Sequence, residues 1–329
     1  MSRIASRLVF NRCVYLPGSN QETVLRSILR HENVRDNQFS ENFASLVARC
    51  ATDLPSLISS QIILRTELMD KVRAGRFMQE VGVQIPECVE LTSADVDSFI
   101  ERYGLPLVLK NRVGYGGHGV TVFHHRDDLT QKIQSMVGGG DQFYIERHVA
   151  GRPVNYGAAI INGVVVQDVC YRPLKTVRPL GPAMQMITTA DGEALALARR
   201  IVSNSQCSGL VNIQFLQDDE GTYLPIDFNL RTFGPATSFR KAGLNFREGY
   251  LRSLGLEARV TTSEAQVDVT IDSYPDPQRT LVRAGHPFKA LRSYLTEAPE
   301  NSRSLSWRYT ILEALTLLTL IRGAPRKRS

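Results

Sequence analysis

Gly209-Leu-Val-Asn-Ile-Gln214-Phe-Leu-Gln-Asp-Asp219-Glu-Gly-Thr-Tyr-Leu-Pro-Ile-Asp227-Phe-Asn229-Leu-Arg231-Thr-Phe-Gly234 reads as two strands joined by a tight turn. Val211 to Leu216 and Tyr223 to Leu230 are rich in apolar residues. Asp218-Asp219-Glu220-Gly221 between them is a turn signal, with Gly221 where a positive φ is needed. Side chains alternate faces along a strand, so Gln214 and Leu216 share a face. On the return strand Pro225, Asp227, Asn229 and Arg231 share one. With Glu220-Gly221 as a two-residue turn, Thr222 pairs with Asp219 and Gln214 falls opposite Asp227. A three-residue turn flips that register and scatters the set.

The set has a chemical logic. Gln214, Asp227 and Asn229 offer a cation only hard oxygen donors, which suits Mg²⁺ or Mn²⁺ better than zinc. A site of one carboxylate and a few amides keeps waters and takes phosphate oxygens as further ligands. Arg231, two residues on, is placed to neutralise a developing anion. The same alternation also describes a half-buried hairpin with one solvated face. From this stretch alone both readings stand.

The chain has 329 residues, enough for two or three domains, and its 43% hydrophobic and 22% charged residues are those of a globular protein. There is no low-complexity tract and no obvious repeat. The formal charge of +6 is modest, and no dense basic stripe with interleaved aromatics is present, so nucleic acid is not the expected partner. A basic surface also suits an anionic substrate such as a nucleotide. Cys13, Cys50, Cys88, Cys170 and Cys207 are scattered, with no Cys-x-x-Cys pair and no metal-ligand spacing. That favours a reducing compartment, taken as cytoplasmic, with unpaired and mostly buried thiols. No run of 18 apolar residues exists, so no transmembrane helix is expected. Arg3, Arg7 and Arg12 without an acid in the first 21 residues fit an organelle transit peptide or an ordinary N-terminal strand region.

Residues 1–65 suit a small, atypical α/β unit, with a strand at Leu8–Leu16 and helices at Gln21–His31 and Glu41–Cys50. Thr66 is a candidate helix cap, its hydroxyl reaching the Met69 N–H. The helix then runs through Asp70, Lys71, Ala74, Phe77 and Met78 to Gly82, and Ile85-Pro86 ends it. Thr92 to Asp95 caps a second helix running to Tyr103-Gly104. Leu105 to Lys110 is a short buried-type strand ending in a cation. Gly114, Gly116, Gly117 and Gly119 follow, then the strand Val120 to Phe123. Such a turn folds a backbone closely over an anion with N–H groups facing phosphate, and it also reads as a flexible hairpin tip. It is not a Walker loop, because no Gly-Lys-Ser/Thr and no helix follow. Asp127 to Met136 is helical, Gln142 to Val149 is a strand carrying Glu146, and Asn162-Gly163 joins strands Val154–Ile161 and Val164–Tyr171. Arg172, Lys175 and Arg178 fall in a Pro-containing loop, and Ala190 to Ser203 is an amphipathic helix.

The order of these motifs resembles the ATP-grasp superfamily, whose members are mostly ATP-dependent carboxylate–amine ligases. The resemblance covers roughly Met69 to Leu254. It is carried by Asp70-Lys71, by Gly82-Val83-Gln84-Ile85-Pro86, and by Pro106-Leu107-Val108-Leu109-Lys110 before the glycine loop. The linker Glu146-Arg147-His148-Val149-Ala150-Gly151 and the Gln214–Arg231 hairpin complete it. The hairpin is most like the carbamoyl-phosphate-synthase branch, whose first metal ligand is also Gln. The resemblance implies an α/β (α+β) fold, two α+β subdomains clasping ATP behind a small N-terminal domain. Its expected bounds are 1–65, 66–143 with the glycine lid, 144–258 with the metal site, and a C-terminal extension at 259–329.

The resemblance also implies roles. Lys71 and Lys110 bind ATP phosphates under a lid containing Gly116, Gly117 and Gly119. Glu146, with backbone groups of Arg147 and Val149, holds the adenine edge, and Val108 and Leu216 sandwich the ring. Gln214, Asp227 and Asn229 hold two Mg²⁺ ions, with Mn²⁺ as a substitute, and Arg231 steadies an acyl phosphate. The implied activity is phosphorylation of a small carboxylate and its coupling to an amine, in specialised metabolism or surface-polymer synthesis. Transfer to a hydroxyl, thiol or carrier-bound acceptor is the alternative, as is a nucleotide-binding scaffold that lost catalysis. The sequence departs from the family at Asp227, where a Glu is usual; at Pro153, where an acid for ribose is usual; and at Leu230, where a Pro is usual. Arg172, Lys175 and Lys241 are either anionic-substrate ligands or solvated surface charges. Trp307 to Ile321 forms an apolar helical stripe before Arg326-Lys327-Arg328. It is too short to span a bilayer, and it lies on an anionic membrane, covers a homodimer interface or packs on its own core.

Overall fold

The computed structural model describes residues 64–272, apart from 65, 92–95, 115–116, 118, 137–141, 177–180, 182, 232, 254–259 and 261–263. The expected N-terminal unit, the helix Trp307–Ile321, Cys13 and Cys50 lie outside the described residues. Cys88, Cys170 and Cys207 form no disulfide among the described residues, and the last two are buried. No helix among the described residues is long and apolar enough to cross a membrane.

The first helix, α1 (Lys71–Glu80), starts later than the Thr66 reading placed it. Thr66 belongs to a preceding helical turn, and Asp70 is the cap, its Oδ1 accepting from the N–H groups of Val72 and Arg73 at 3.0 and 3.2 Å. An aspartate caps as well as a threonine and faces the positive end of the helix. Arg112 fixes that start, donating from Nε to Asp70 Oδ2 at 2.9 Å and from Nη1 to Glu90 Oε2 at 2.7 Å.

Four antiparallel strands form the first sheet: β1 (Cys88–Glu90), β2 (Leu107–Asn111), β3 (Val120–Phe123) and β4 (Phe143–Arg147), in the order β1-β4-β2-β3. Helices α2 (Val96–Tyr103) and α3 (Arg126–Gln134) cover one face. There Leu107, Leu109, Phe123 and Ile145 pack with Phe99, Ile100 and Leu129. Alternation then puts Val108 and Lys110 on the other face, and the register sets Val108 beside Glu146 and Lys110 beside Tyr144. Glu146 also pairs with Cys88.

The second sheet has six strands. They are β5 (Arg152–Ile161), β6 (Val164–Thr176), β7 (Ala183–Thr189), β8 (Gly209–Gln217), β9 (Tyr223–Asn229) and β10 (Thr270–Asp272), ordered β10-β7-β6-β5-β8-β9 and antiparallel. Asn162 and Gly163, at φ 48° and 78°, make the expected tight turn between β5 and β6. Helices α1 and α4 (Gly192–Ser205) cover one face, where Val211, Ile213, Phe215 and Phe228 meet Ala198, Ile201 and Val202. A 3-10 helix (Gly234–Ala242) and α5 (Phe246–Ser253) cover part of the other through Phe233, Phe239 and Phe246, which pack on Ala159, Tyr171 and Leu210.

The sequence reading ended β6 too early. Arg172 and Lys175 lie on the strand, not in a loop, and β7 and β10 were not foreseen. Pro173 removes one ladder donor, and register shifts at Pro173/Lys175 and Lys175/Thr176 absorb it, so the strand continues through the proline.

Candidate active site

The hairpin β8–β9 sets the site, and its turn corrects the two-residue reading. Asp218 N donates to Thr222 O at 3.0 Å and Gly221 N to Asp218 O at 3.1 Å, so Asp219, Glu220 and Gly221 form a three-residue loop. Gly221 takes φ 89°, a conformation glycine alone adopts without strain. That loop pairs Gln217 with Tyr223 and Phe215 with Pro225, and continued unbroken it would place Asp227 on the core face. A bulge between Gln214 and Phe215 shifts the ladder by one residue, and Gln214 pairs with Asp227 and Asn212 with Asn229. The extra residue, Ile226, stands next to a proline that could not have served the ladder. The expected juxtaposition survives by another route. Pro225, by contrast, pairs with Phe215 and leaves the Asp227 face.

On that face the described side chains form one connected set. Arg231 Nη2 donates to Asn229 Oδ1 at 3.1 Å, and Asn229 Nδ2 to Asp227 Oδ2 at 2.8 Å. Lys71 Nζ lies 2.9 Å from Asp227 Oδ1 and 3.0 Å from the carbonyl oxygen of Gly114 in the glycine loop. Burial alone would raise the Asp227 pKa, but the charge and hydrogen bond of Lys71, then Asn229 and Lys110, outweigh it and hold the carboxyl below its usual range. Asp227 is therefore anionic at neutral pH.

The first sheet supplies the facing wall. Lys110 Nζ is 2.5 Å from Glu146 Oε1, with side-chain exposures of only 7% and 9%. Tyr144 OH donates to Glu146 Oε2 at 3.4 Å, and burial first, then Glu146 and Asp227, push its phenol well above its ordinary range. Burial and then Glu146 push the Cys88 thiol up to about 11, so both groups stay neutral. Lys71, Cys88, Tyr144, Glu146, Ile226 and Asp227 line one small cavity between α1, β4 and β9. Two lysines, two carboxylates and the Asn229 amide thus converge where the sheets meet, with Gln214 in register beside Asp227.

The other expected residues divide. Val108 and Val149 are each 7% exposed, and Leu216, half-buried, pairs with Pro153. Arg147 Nε bonds Glu87 Oε2 at 2.5 Å. Gly117 and Gly119 have φ 71° and 75°, and Gly116 lies outside the described residues. Arg172 is held away from Asp227: its Nη2 donates to Asp191 Oδ2 and Gln217 Oε1, both at 2.9 Å, and Asp191 caps α4. Gln217 is three residues from Gln214 and so on the opposite face. Lys175 and Lys241 are exposed. The sequence reading passed over Arg112, Tyr144 and Asn155. Tyr144 was discoverable, since it stands two residues before Glu146 and so on its face.

The chain matches the family described as carbamoyl-phosphate synthase L chain, ATP binding domain, over residues 70–234, half its length. A D-alanine–D-alanine ligase of Desulforudis audaxviator is 29% identical over 96 residues, which are 28% of this chain and 31% of the ligase. A carbamoyl-phosphate synthase of Methanobrevibacter smithii is 24% identical over 192 residues, 56% of this chain and 51% of the synthase. The chain thus spans about a third to a half of these relatives. Among solved structures, carboxyaminoimidazole ribonucleotide synthase of Aspergillus clavatus, complexed with ATP, superposes with a TM-score of 0.62 at 15% identity, covering 80% of this chain and 71% of that one. Biotin carboxylase of Campylobacter jejuni gives a TM-score of 0.55 at 20% identity, covering 70% and 55%.

Proposed function

Because the chain belongs to the ATP-grasp superfamily, in the family of the carbamoyl-phosphate synthase L chain ATP-binding domain, we propose that it activates a small carboxylate with ATP and joins it to an amine. The observation that carries this reading is the convergence of Lys71, Lys110, Asp227, Asn229 and Arg231 between two sheets, with the glycine loop tied to Lys71.

The substrate carboxylate attacks the γ-phosphorus, the bond to the bridging oxygen breaks, and ADP leaves with that electron pair. The acyl phosphate then meets the amine. Nitrogen adds to the carbonyl carbon, the tetrahedral adduct expels phosphate, and the nitrogen loses a proton to give the amide. Lys71 and Lys110 are the cations for the phosphates, and each must exchange a carboxylate partner for them. Arg231 stands where charge develops on the transferred phosphoryl and the adduct. The rate gain comes mainly from positioning and charge neutralisation.

Gln214, Asp227 and Asn229 fit Mg²⁺, because register brings one anionic carboxylate and two amides together with oxygen as their only cation donor. Bound there, the cation would supply charge for the phosphate oxygens. Glu146 with the Arg147 and Val149 backbone would take the adenine edge, and Val108 and Leu216 its faces.

Purified chain incubated with ATP, Mg²⁺ and pools of small carboxylic acids and amines tests this. Phosphate release that requires both pools, with a product mass of acid plus amine less water, is the expected result. Nucleotide binding without phosphate release under every combination would overturn it in favour of a scaffold. Release dependent only on hydroxyl or thiol acceptors would overturn the amine.

A further inference from the structure

Tyr171, Asn155, Gln214 and Asp227 form a line across β6, β5, β8 and β9, each the register partner of the next. Partners in register point to the same side of the sheet, so Asn155 stands beside Gln214 on the Asp227 face. Asn155 is only 8% exposed, and its amide, which keeps some contact with solvent, meets no partner among the described residues. Most polar side chains of residues this enclosed are bonded, so an amide left open beside Gln214 calls for a reason.

The reason lies in Gln214. An amide has two ends, and only its oxygen can face a cation, so something must hold the nitrogen end away. Asp227 does not have that role: its Oδ2 accepts from Asn229, and with a cation bound its Oδ1 faces the cation in place of Lys71. The neighbour on the other side of Gln214 is Asn155.

We propose that Asn155 is a positioning residue. Its Oδ1 accepts from Gln214 Nε2 and turns Gln214 Oε1 toward the cation held beside Asp227. The inference rests on the reading of this face as a divalent-cation site.

Mn²⁺ titrated into the full chain with ADP, followed by electron paramagnetic resonance, tests it. Asn155→Leu is expected to weaken Mn²⁺ about tenfold or more, the scale of losses when a ligand loses its outer-shell support. ADP affinity in EDTA stays at the wild-type level. Asn155→Ala, which adds no bulk to the strand, carries the same expectation should the leucine fail to fold. Asn155→Asp keeps an acceptor and keeps or exceeds wild-type affinity. In a Gln214→Glu background, where both ends of the side chain are oxygen, Asn155→Leu is expected to have no further effect. Equal losses in both backgrounds, or no loss in either, would overturn the proposal while leaving the cation site standing. A wild-type chain that binds no Mn²⁺ with ADP would overturn both.

Discussion

Lys71 Nζ sits 2.9 Å from Asp227 Oδ1 while the same nitrogen reaches the Gly114 carbonyl at 3.0 Å. One side chain therefore joins the helix start, the carboxylate of the oxygen-donor set and the glycine loop. Side-chain exposures of 12% and 16% keep the pair only partly screened. Lys71→Met takes from Asp227 its ion-pair partner and leaves it Asn229 and the charge of Lys110. Stability is expected to fall by about 1–3 kcal/mol, the scale of a partly buried charged hydrogen bond. ATP affinity should fall at least about tenfold, the factor set by roughly 1.4 kcal/mol of lost binding. Urea unfolding and equilibrium dialysis with ATP read the two effects, and unchanged values in both would contradict the arrangement.

The same pair fixes a pH dependence. The Asp227 pKa is lowered in the folded chain relative to its ordinary 3.8, so the unfolded chain binds the proton more readily. The stabilisation is fully present above about pH 4, and it is lost as pH falls through the lower folded value. In Lys71→Met the folded value moves up, and this part of the acid limb should shrink or reverse. Urea midpoints measured from pH 6 downward for both chains check the sign. Parallel acid limbs would refute the coupling.

Lys110 and Glu146 form the most enclosed charge pair of the cleft. Removing one partner strands the other, so Glu146→Ala is expected to destabilise by about 3–5 kcal/mol. Replacing both, Lys110→Met with Glu146→Leu, should restore much of that loss because no unpaired charge remains. Nucleotide binding should be lost in both variants. A double variant that binds ATP normally would show that neither residue serves the nucleotide.

Gly221 isolates the turn from the chemistry. A Cβ there would meet nothing within 4 Å, so Gly221→Ala costs only backbone strain at φ 89°. A loss of about 1–2 kcal/mol with unchanged ATP affinity is expected. Its thermal midpoint and ATP titration check this.

Much of this architecture was legible in the sequence because local chemistry and order agree there. Asp70-Lys71, a strand carrying Lys110 near its end, at Leu107–Asn111 and not Leu105–Lys110, and the Gln214–Asp227 opposition all appear in the structure. Asp227 met Gln214 for a different reason from the one the residues suggested. The loop has one residue more than the two-residue turn, and the bulge at Ile226 restores the register. Two compensating irregularities leave no trace in an alternation pattern. Arg172 looked available because its partners, Asp191 and Gln217, are 19 and 45 residues away. Asn155 drew no attention, since a lone Asn between Val154 and Tyr156 signals nothing until β5 is seen beside β8. The strand β7 was passed over although Ile187, Thr188 and Thr189 are β-branched, because Met184, Gln185 and Met186 before them carry no such signature.

The measurement that most directly tests the proposed activity is phosphate release from ATP with and without an amine, for the wild-type chain and for Asp227→Ala. Release that rises with amine in the wild type and falls by at least about 100-fold in a folded Asp227→Ala, the scale of losing a transition-state electrostatic contact, is the expected result. Full activity in Asp227→Ala would contradict the placement of the chemistry on this hairpin.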